Sequence, residues 1–436
     1  MGKYNLISFL GVFVIMGLAW TVSSNRRTMN WRLIACGTGL QLFFAAFLFI
    51  SPAGVKSFMA VNQGVLWLMD CAMDGVRFLF GVLAIAPGAT GPNGESSPGF
   101  ILAFQALPTI IFFAALIGAL YYLKVMPFII RIFAAVFTFF MRISGAEALC
   151  ASSNIFVGVE SSVTIRPHLD KMTQSELFTV LTVGMATIAS SVLGFYVLIL
   201  HNQFPAIAGH LVSASLLSAP AGLVMSKIMM PETGVPATLG VRVHPHYERE
   251  DNIMEAIMNG ANAGVKLVVG VSAMLIAFLG ILALIDRGAA GIGGFINQWT
   301  GWSVDWSLTG LLSYPFYPLC VIMGIPPDDA AHLARIIGER LVATEVKSYQ
   351  DLAVLLQQHV LQNPRSAVIA TYALCGFAHV ASMAIFVGGI AALAPSRARD
   401  LARLGPRALV AATLACLMTG AVAGTFFTKG SVLLGP

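Results

Sequence analysis

Apolar runs long enough to cross a bilayer recur along this chain, and they leave it little choice of fold. A helix needs about 20 largely apolar residues to span the hydrocarbon core. Runs of that order lie at about 4–22, 32–51, 99–123, 176–200, 208–229, 264–285, 366–393 and 407–428. Charged residues make up only 10% of the 436 positions, against roughly 25% in soluble domains. Short segments of strand-like alternation are missing, which argues against a β-barrel. The expected fold is therefore an all-α polytopic membrane protein of about eight transmembrane helices. The net charge of +5 is spread through loops, so it reads as a topology signal and implies no nucleic-acid partner. Six cysteines stand singly, without a CxxC pair, and read as buried packing residues rather than a zinc or redox site. The first run has only Lys3 before it and Arg26 and Arg27 after it, the reverse of a secretory signal, so it is expected to be a retained span.

Basic residues set the expected topology. Arg26, Arg27 and Arg32 follow the first run, and Arg397, Arg399, Arg403 and Arg407 precede the last. Both clusters belong on the inner side, which puts the N- and C-termini outside. Residues 55–84 carry Asp70, Asp74 and Arg77 at helical spacing, the stripe of an interfacial or partly buried helix. Residues 288–303 read as an outer loop, and 306–324 as a further apolar stretch. Two segments, 143–166 and 326–362, are too polar to face lipid. Backbone at that depth survives only inside protein or beside water, so each reads as a re-entrant hairpin, the first entered from inside and the second from outside. A hairpin plus two spans, repeated in opposite orientation, is an inverted-topology repeat. The expected divisions are 1–142 (scaffold helices), 143–229 (first repeat), 230–325 (inner loop, a span and outer scaffold) and 326–436 (second repeat).

Each repeat places a glutamate in its hairpin, Glu160 and Glu345. A carboxylate at membrane depth faces a partner or a water-filled cavity and marks a functional site by default. Glu147 reads as structural, pairing with a basic residue, while Glu339 and Arg340 read as an ordinary solvated hairpin face. Each repeat also has a span interrupted by small and hydroxylated residues, Gly184–Ser191 and Cys375–Ser382, where unwinding is tolerated. Carboxylates accept hydrogen bonds from hydroxyls or ring N–H groups, and Phe377 offers a stacking face. The residue types suit a small, hydroxyl-rich solute held at the midplane, the arrangement of a transporter. An enzyme is not indicated: His-Glu-x-x-His and Gly-x-Ser-x-Gly are both absent.

Several segments, in order, resemble the concentrative nucleoside transporter family. They are Phe104–Phe113, Gly145-Ala146-Glu147, Asn154–Gly158, Ser218-Ala219-Pro220, Lys227–Thr233 and Leu374–Ala378. The resemblance implies a homotrimer in a bacterial inner membrane that imports nucleosides by cation symport with an elevator-type motion. It implies that Val159, Glu160, Ser161 and Val192 face the base, and that Thr344, Glu345, Phe377, His379 and Ser382 face the ribose. Where the family binds sodium, the matching positions are Asn154 and Thr187 through side chains and Val157 through its carbonyl. This sequence departs from the family in three places. The first hairpin tip, Gly158–Ser162, is one residue shorter and lacks a glutamine. Thr344 and His379 stand where the family has asparagines. Histidine titrates near neutrality when unperturbed, so the coupling ion is open between Na+ and H+. The altered tip leaves open a modified nucleoside, a nucleobase or another small polar solute.

Overall fold

The computed structural model describes residues 2–91, 94–247, 250–301 and 303–428, with Val159 described in its backbone alone. Three helices open the chain: α1 (Lys3–Thr21), α2 (Trp31–Ile50) and α3 (Pro52–Phe80). The last has a polar stripe in which Asp74 and Arg77 form an exposed pair at 3.7 Å, as its spacing predicts. The third span is bent. A single turn, α4 (Leu102–Gln105), is separated from α5 (Thr109–Tyr122) by Ala106-Leu107-Pro108, because Pro108 supplies no N–H to continue the ladder. Next come α6 (Val125–Met141) and the first hairpin, which is α7 (Gly145–Asn154) followed by a 3₁₀ segment, Val159–Lys171.

The first repeat is completed by α8 (Gln174–Ala186), α9 (Ser190–Leu200) and α10 (Ile207–Met229). Its inner end is locked by capping. Ser144 and Thr173 begin α7 and α8 with capping boxes that use Glu147 and Glu176. The Ser144 hydroxyl also donates to Glu176 at 2.6 Å. Lys227, buried at the end of α10, meets Glu147 at 2.5 Å, the pairing expected for that glutamate.

The helix α11 (Ile253–Thr300) runs unbroken for 48 residues, about 72 Å at 1.5 Å per residue. The outer loop expected at 288–303 is therefore a helix as far as Thr300. Glycine suggested a turn there, but Gly293 instead permits close packing: a Cβ on it would lie 2.1 Å from Trp306. Trp306 folds back to donate to Asn297 at 2.9 Å, and the helix stops at Gly301, whose φ of 73° is left-handed. After α12 (Leu308–Ile322), the second hairpin is α13 (Pro327–Ala343) and α14 (Glu345–Gln357). The buried Asp329 pins the return strand of chain by accepting from the backbone of Gln362 and Asn363. The second repeat ends with α15 (Pro364–Leu374), α16 (Val380–Leu393) and α17 (Ala398–Phe426). The last span starts nine residues before the expected 407, since its arginine-rich entry and Pro406 remain helical.

Among the described residues no strand forms, and seven helical stretches are long and apolar enough to cross a bilayer. An eighth crossing is made by α15 and α16 together across their break. The most buried elements are α7, α8, α10 and α15. By contrast α11 is largely open, with Ile276, Leu284, Phe295 and Trp299 all exposed.

Candidate functional site

The site forms where the two broken spans meet. In the first, α8 ends at Ala186 and Thr187 turns extended, its hydroxyl donating back to the Val183 carbonyl at 2.9 Å. In the second, α15 ends at Leu374 and the chain stays non-helical until His379 caps α16. The breaks touch, since Phe377 N donates to the Thr187 carbonyl at 3.4 Å. Gly376 makes this possible, because a Cβ there would lie 2.7 Å from the Ala186 carbonyl oxygen.

A cavity of about 310 Å³ opens against these breaks. One end is formed by Glu345, Thr344, Phe377, His379 and Ser382, with Tyr196 behind them. Thr344 makes the hairpin turn at φ 92°, an outlying conformation for a β-branched residue. That turn aims Glu345, the first residue of α14, into the cavity. Three residues then fix its carboxylate, two by side-chain contact and the third through one of them. The buried Tyr196 hydroxyl donates to Oε1 at 2.5 Å. His379 Nε2 lies 2.8 Å from the buried Oε2. The third is Ser382: its backbone N–H donates to His379 Nδ1 at 3.1 Å, so the imidazole proton sits on Nε2 and faces the carboxylate. The Ser382 hydroxyl donates to the Phe377 and His379 carbonyls. The Thr344 hydroxyl oxygen is buried and has no partner.

The other end of the cavity is formed by Glu160, Gly158, Ala189, Ser191 and Val192. Gly158, Glu160, Ser191 and Leu267 also line a second cavity of about 680 Å³, so the two spaces adjoin at Glu160. Arg166 and the loop residues His246 and Glu250 border the larger one, which opens toward the positively flanked side of the molecule. Ser161 does not reach either cavity wall; it is buried, with its hydroxyl 3.9 Å from the Cys150 sulfur. For Val159 the side chain lies outside the described residues.

The three positions matched to sodium gather where hairpin one meets the first break. Asn154 is fully buried and donates through Nδ2 to the Cys150 carbonyl at 3.0 Å. This aims Oδ1 away from its own helix, and Oδ1 has no hydrogen-bonding partner. Phe156 accepts from Ser190 N at 2.9 Å, and Ser215 donates to the Ile155 carbonyl at 2.7 Å, holding the hairpin end on the α8–α9 break. An orphaned amide oxygen, a threonine hydroxyl and peptide carbonyls are the all-oxygen donors a hard cation takes. Among the described residues no group of three His, Cys, Asp or Glu could hold a transition metal.

The sequence reading missed three participants. Tyr196 looked like one more apolar position of its span. Lys266 on α11 lines the smaller cavity, and a lone cation inside an apolar run was its signal. Arg340 was expected on a solvated face, but both it and Glu339 are buried, Arg340 with 0% exposure. The half of the hairpin nearest its tip packs into protein while Asp328, His332 and Arg335 stay exposed, so polarity alone did not tell its dry part from its wet one.

Comparison with known proteins bears on the same residues. The family models for the N-terminus and C-terminus of Na+ dependent nucleoside transporters match residues 10–83 and 210–424, and a nucleoside recognition model matches 103–203. The chain is 37% identical to an uncharacterized transporter of Haemophilus influenzae, over 98% of this chain and 99% of that one. It is 35% identical to the nucleoside permease NupC of Helicobacter pylori, over 97% and 98%. The solved structure of CNTnw in an inward-facing, substrate-bound state superposes with a TM-score of 0.85 at 32% identity, covering 97% of this chain and 98% of that one.

Proposed function

This chain belongs to the concentrative nucleoside transporter family, whose members are transporters and not enzymes, and from that premise we propose that it imports nucleosides across a bacterial inner membrane by sodium symport. The observation that carries the reading is the Glu345 carboxylate, which lines the substrate cavity and is oriented by Tyr196 and His379. Glu345 and the Thr344 hydroxyl take the ribose hydroxyls, and Phe377 packs against the sugar, with Ser382 and His379 holding the frame. Glu160 and Val192 form the base end, where the carboxylate accepts N–H groups. The shortened tip there supports a second reading, a modified nucleoside or other small polar solute.

Sodium is favoured over a proton by two observations. The orphaned Asn154 Oδ1 beside Thr187 and the Val157 carbonyl suits a hard cation. His379, the one histidine against the substrate cavity, spends Nδ1 as an acceptor for Ser382 N–H, so taking up a second proton breaks the cap of α16. The second cavity adjoining the first at Glu160 suits an inward-facing stage of an elevator-type cycle. The exposed apolar face of α11 suits contact with lipid and with further copies in a homotrimer. Both termini lie outside by the arginine pattern.

The test is uptake of labelled uridine and adenosine into proteoliposomes under separately imposed sodium and proton gradients. Accumulation under the sodium gradient supports the reading. Accumulation under the proton gradient alone overturns the choice of ion. No uptake under either, from folded protein, overturns the nucleoside assignment in favour of another solute.

A further inference from the structure

The two carboxylates of the smaller cavity are held differently. Glu345 is oriented by Tyr196 and His379. Glu160 is accessible and lines both cavities. Among the described residues no side chain donates to it or pairs with it, and its polar contacts are with the backbone of Gly158 and of its own residue. A carboxylate offers about four acceptor positions on its two oxygens, so this one keeps capacity for a ligand. Its neighbours in sequence do not share that task. Val159 has no polar side-chain atom, and the Ser161 hydroxyl is buried beside the Cys150 sulfur.

A carboxylate without a donor beside it is selective among bases. Two adjacent N–H groups on one ring edge meet both its oxygens in a charge-assisted, bidentate pair, as a guanidinium does. Among the common bases only guanine has such an edge, N1–H beside the N2 amino group. Hypoxanthine keeps N1–H and lacks the amino group. Uracil has one N–H between two carbonyls. Adenine and cytosine put an unprotonated ring nitrogen beside their amino group, where its lone pair faces the negative charge. Guanine also carries O6 next to N1–H, and O6 needs a donor. Of the donors that line the smaller cavity, Tyr196, His379 and Ser382 are engaged with Glu345 and with backbone carbonyls, and Thr344 stands with Glu345 at the hairpin turn. That leaves the Ser191 hydroxyl, in the first turn of α9, and the Lys266 ammonium. Ser191 lines both cavities, as Glu160 does. Space also suits a purine, because the larger cavity adjoins at Glu160 and gives room for the second ring.

We infer that Glu160 selects a guanine base by accepting N1–H and N2–H on its two oxygens, and that guanosine is the preferred substrate of this chain. The assignment rests on the nucleoside reading given above and deepens it by naming the base. Other nucleosides still bind through the ribose end, more weakly.

The test is calorimetric binding of guanosine, inosine, adenosine and uridine to the purified full-length protein in sodium buffer. Guanosine should bind roughly 10- to 100-fold more tightly than inosine, which differs only by the missing amino group, and adenosine and uridine should bind no more tightly than inosine. Glu160→Gln replaces one acceptor with a donor, so it should weaken guanosine most and bring the guanosine-to-inosine ratio close to one. Equal wild-type affinities for guanosine and inosine overturn the inference and leave the nucleoside reading intact. A folded Glu160→Gln that keeps the wild-type ratio also overturns it. If none of the four binds to folded protein, the nucleoside reading falls and this inference with it. If Glu160→Gln does not fold, the wild-type ratio decides alone.

Discussion

Removing a single oxygen atom tests the ribose end of the site. Tyr196→Phe deletes the hydroxyl that donates to Glu345 Oε1 at 2.5 Å and leaves the ring packed between Phe195 and Tyr349, with centroids at 5.0 and 4.9 Å. The fold should survive, because the apolar contacts are kept. A hydrogen bond to a charged group contributes about 1.5–3 kcal/mol, and a buried acceptor left without its donor bears a similar penalty. At one decade per 1.4 kcal/mol, affinity for a ribonucleoside should fall roughly 10- to 150-fold. The informative quantity is a ratio. A freed carboxylate swings away from the orientation that meets the sugar hydroxyls, so the preference for uridine over 2′,3′-dideoxyuridine should shrink by the same order. Binding of both ligands to purified protein by calorimetry gives this ratio directly. If Tyr196→Phe weakens the two ligands equally, the hydroxyl supports the fold only, and its role in orienting Glu345 is refuted.

Glu345→Gln should raise the KM for ribonucleosides at least about tenfold, since it trades a charge-assisted acceptor for a neutral one; near-normal uptake would remove Glu345 from the site. Asn154→Ala and Thr187→Ala should each raise the sodium concentration for half-maximal uptake by about tenfold, roughly 1.4 kcal/mol of ion binding, and unchanged activation curves would move the ion elsewhere. Thr344→Gly should stabilise the protein by about 1 kcal/mol, because φ 92° with ψ 157° is a region that essentially only glycine adopts without strain; a lower thermal midpoint in detergent would show that the threonine conformation is not strained.

Hydropathy and the positions of polar residues made most of this architecture legible. The two hairpins were readable because serine, glycine and glutamate crowd segments that lipid cannot solvate, and the two breaks because small residues interrupt otherwise apolar runs. The ends of α11 and α17 were not readable. Glycine and arginine usually mark loops, and only contacts made after folding, such as Gly293 against Trp306, show that they stay helical here. The candidate site was legible in its ligands and not in its supports. Glu345 and His379 are conspicuous in an apolar chain, but Tyr196 reaches Glu345 across 149 positions of sequence. Nothing local marks a tyrosine in a span as a hydrogen-bond donor rather than a packing residue. Arg340 misled for the converse reason: a charged residue in a polar hairpin looks solvated until the end of the hairpin that holds it is seen to be covered.

In the elevator-type cycle proposed above, the buried hydrogen bonds limit which helices could travel with the substrate. The sequence assigns residues 1–142 to a fixed scaffold, yet α1 is tied to the second repeat at several points. Arg365 on α15 donates to the Tyr4 carbonyl, Asn5 and Ser8 while also binding the Gly424 carbonyl of α17. Asn5 donates to the Thr425 carbonyl at 2.9 Å. On α2, Gln41 reaches the Leu217 carbonyl and Thr419, and Asn62 of α3 accepts from Gly209 N at 2.9 Å. Breaking several buried hydrogen bonds at once, each about 1 kcal/mol, is a poor design for a surface that must slide every cycle. The seam between α5 and α11 is of another kind. Gly118, Gly260 and Gly264 bring the two backbones together, so that a Cβ at Gly260 would lie 2.6 Å from the Ala114 carbonyl oxygen. That makes α5 and α11 one rigid pair, and α11 faces the substrate cavity through Leu267 and Gly270 without a side-chain hydrogen bond to the hairpins. We therefore propose that α1, α2 and α3 move with the two repeats, and that α5 and α11 stay behind. A cysteine crosslink between α1 and α17 should leave uptake intact, whereas one between α11 and the first hairpin should arrest it. Loss of uptake on joining α1 to α17, in protein that still binds nucleoside, would return residues 1–80 to the scaffold.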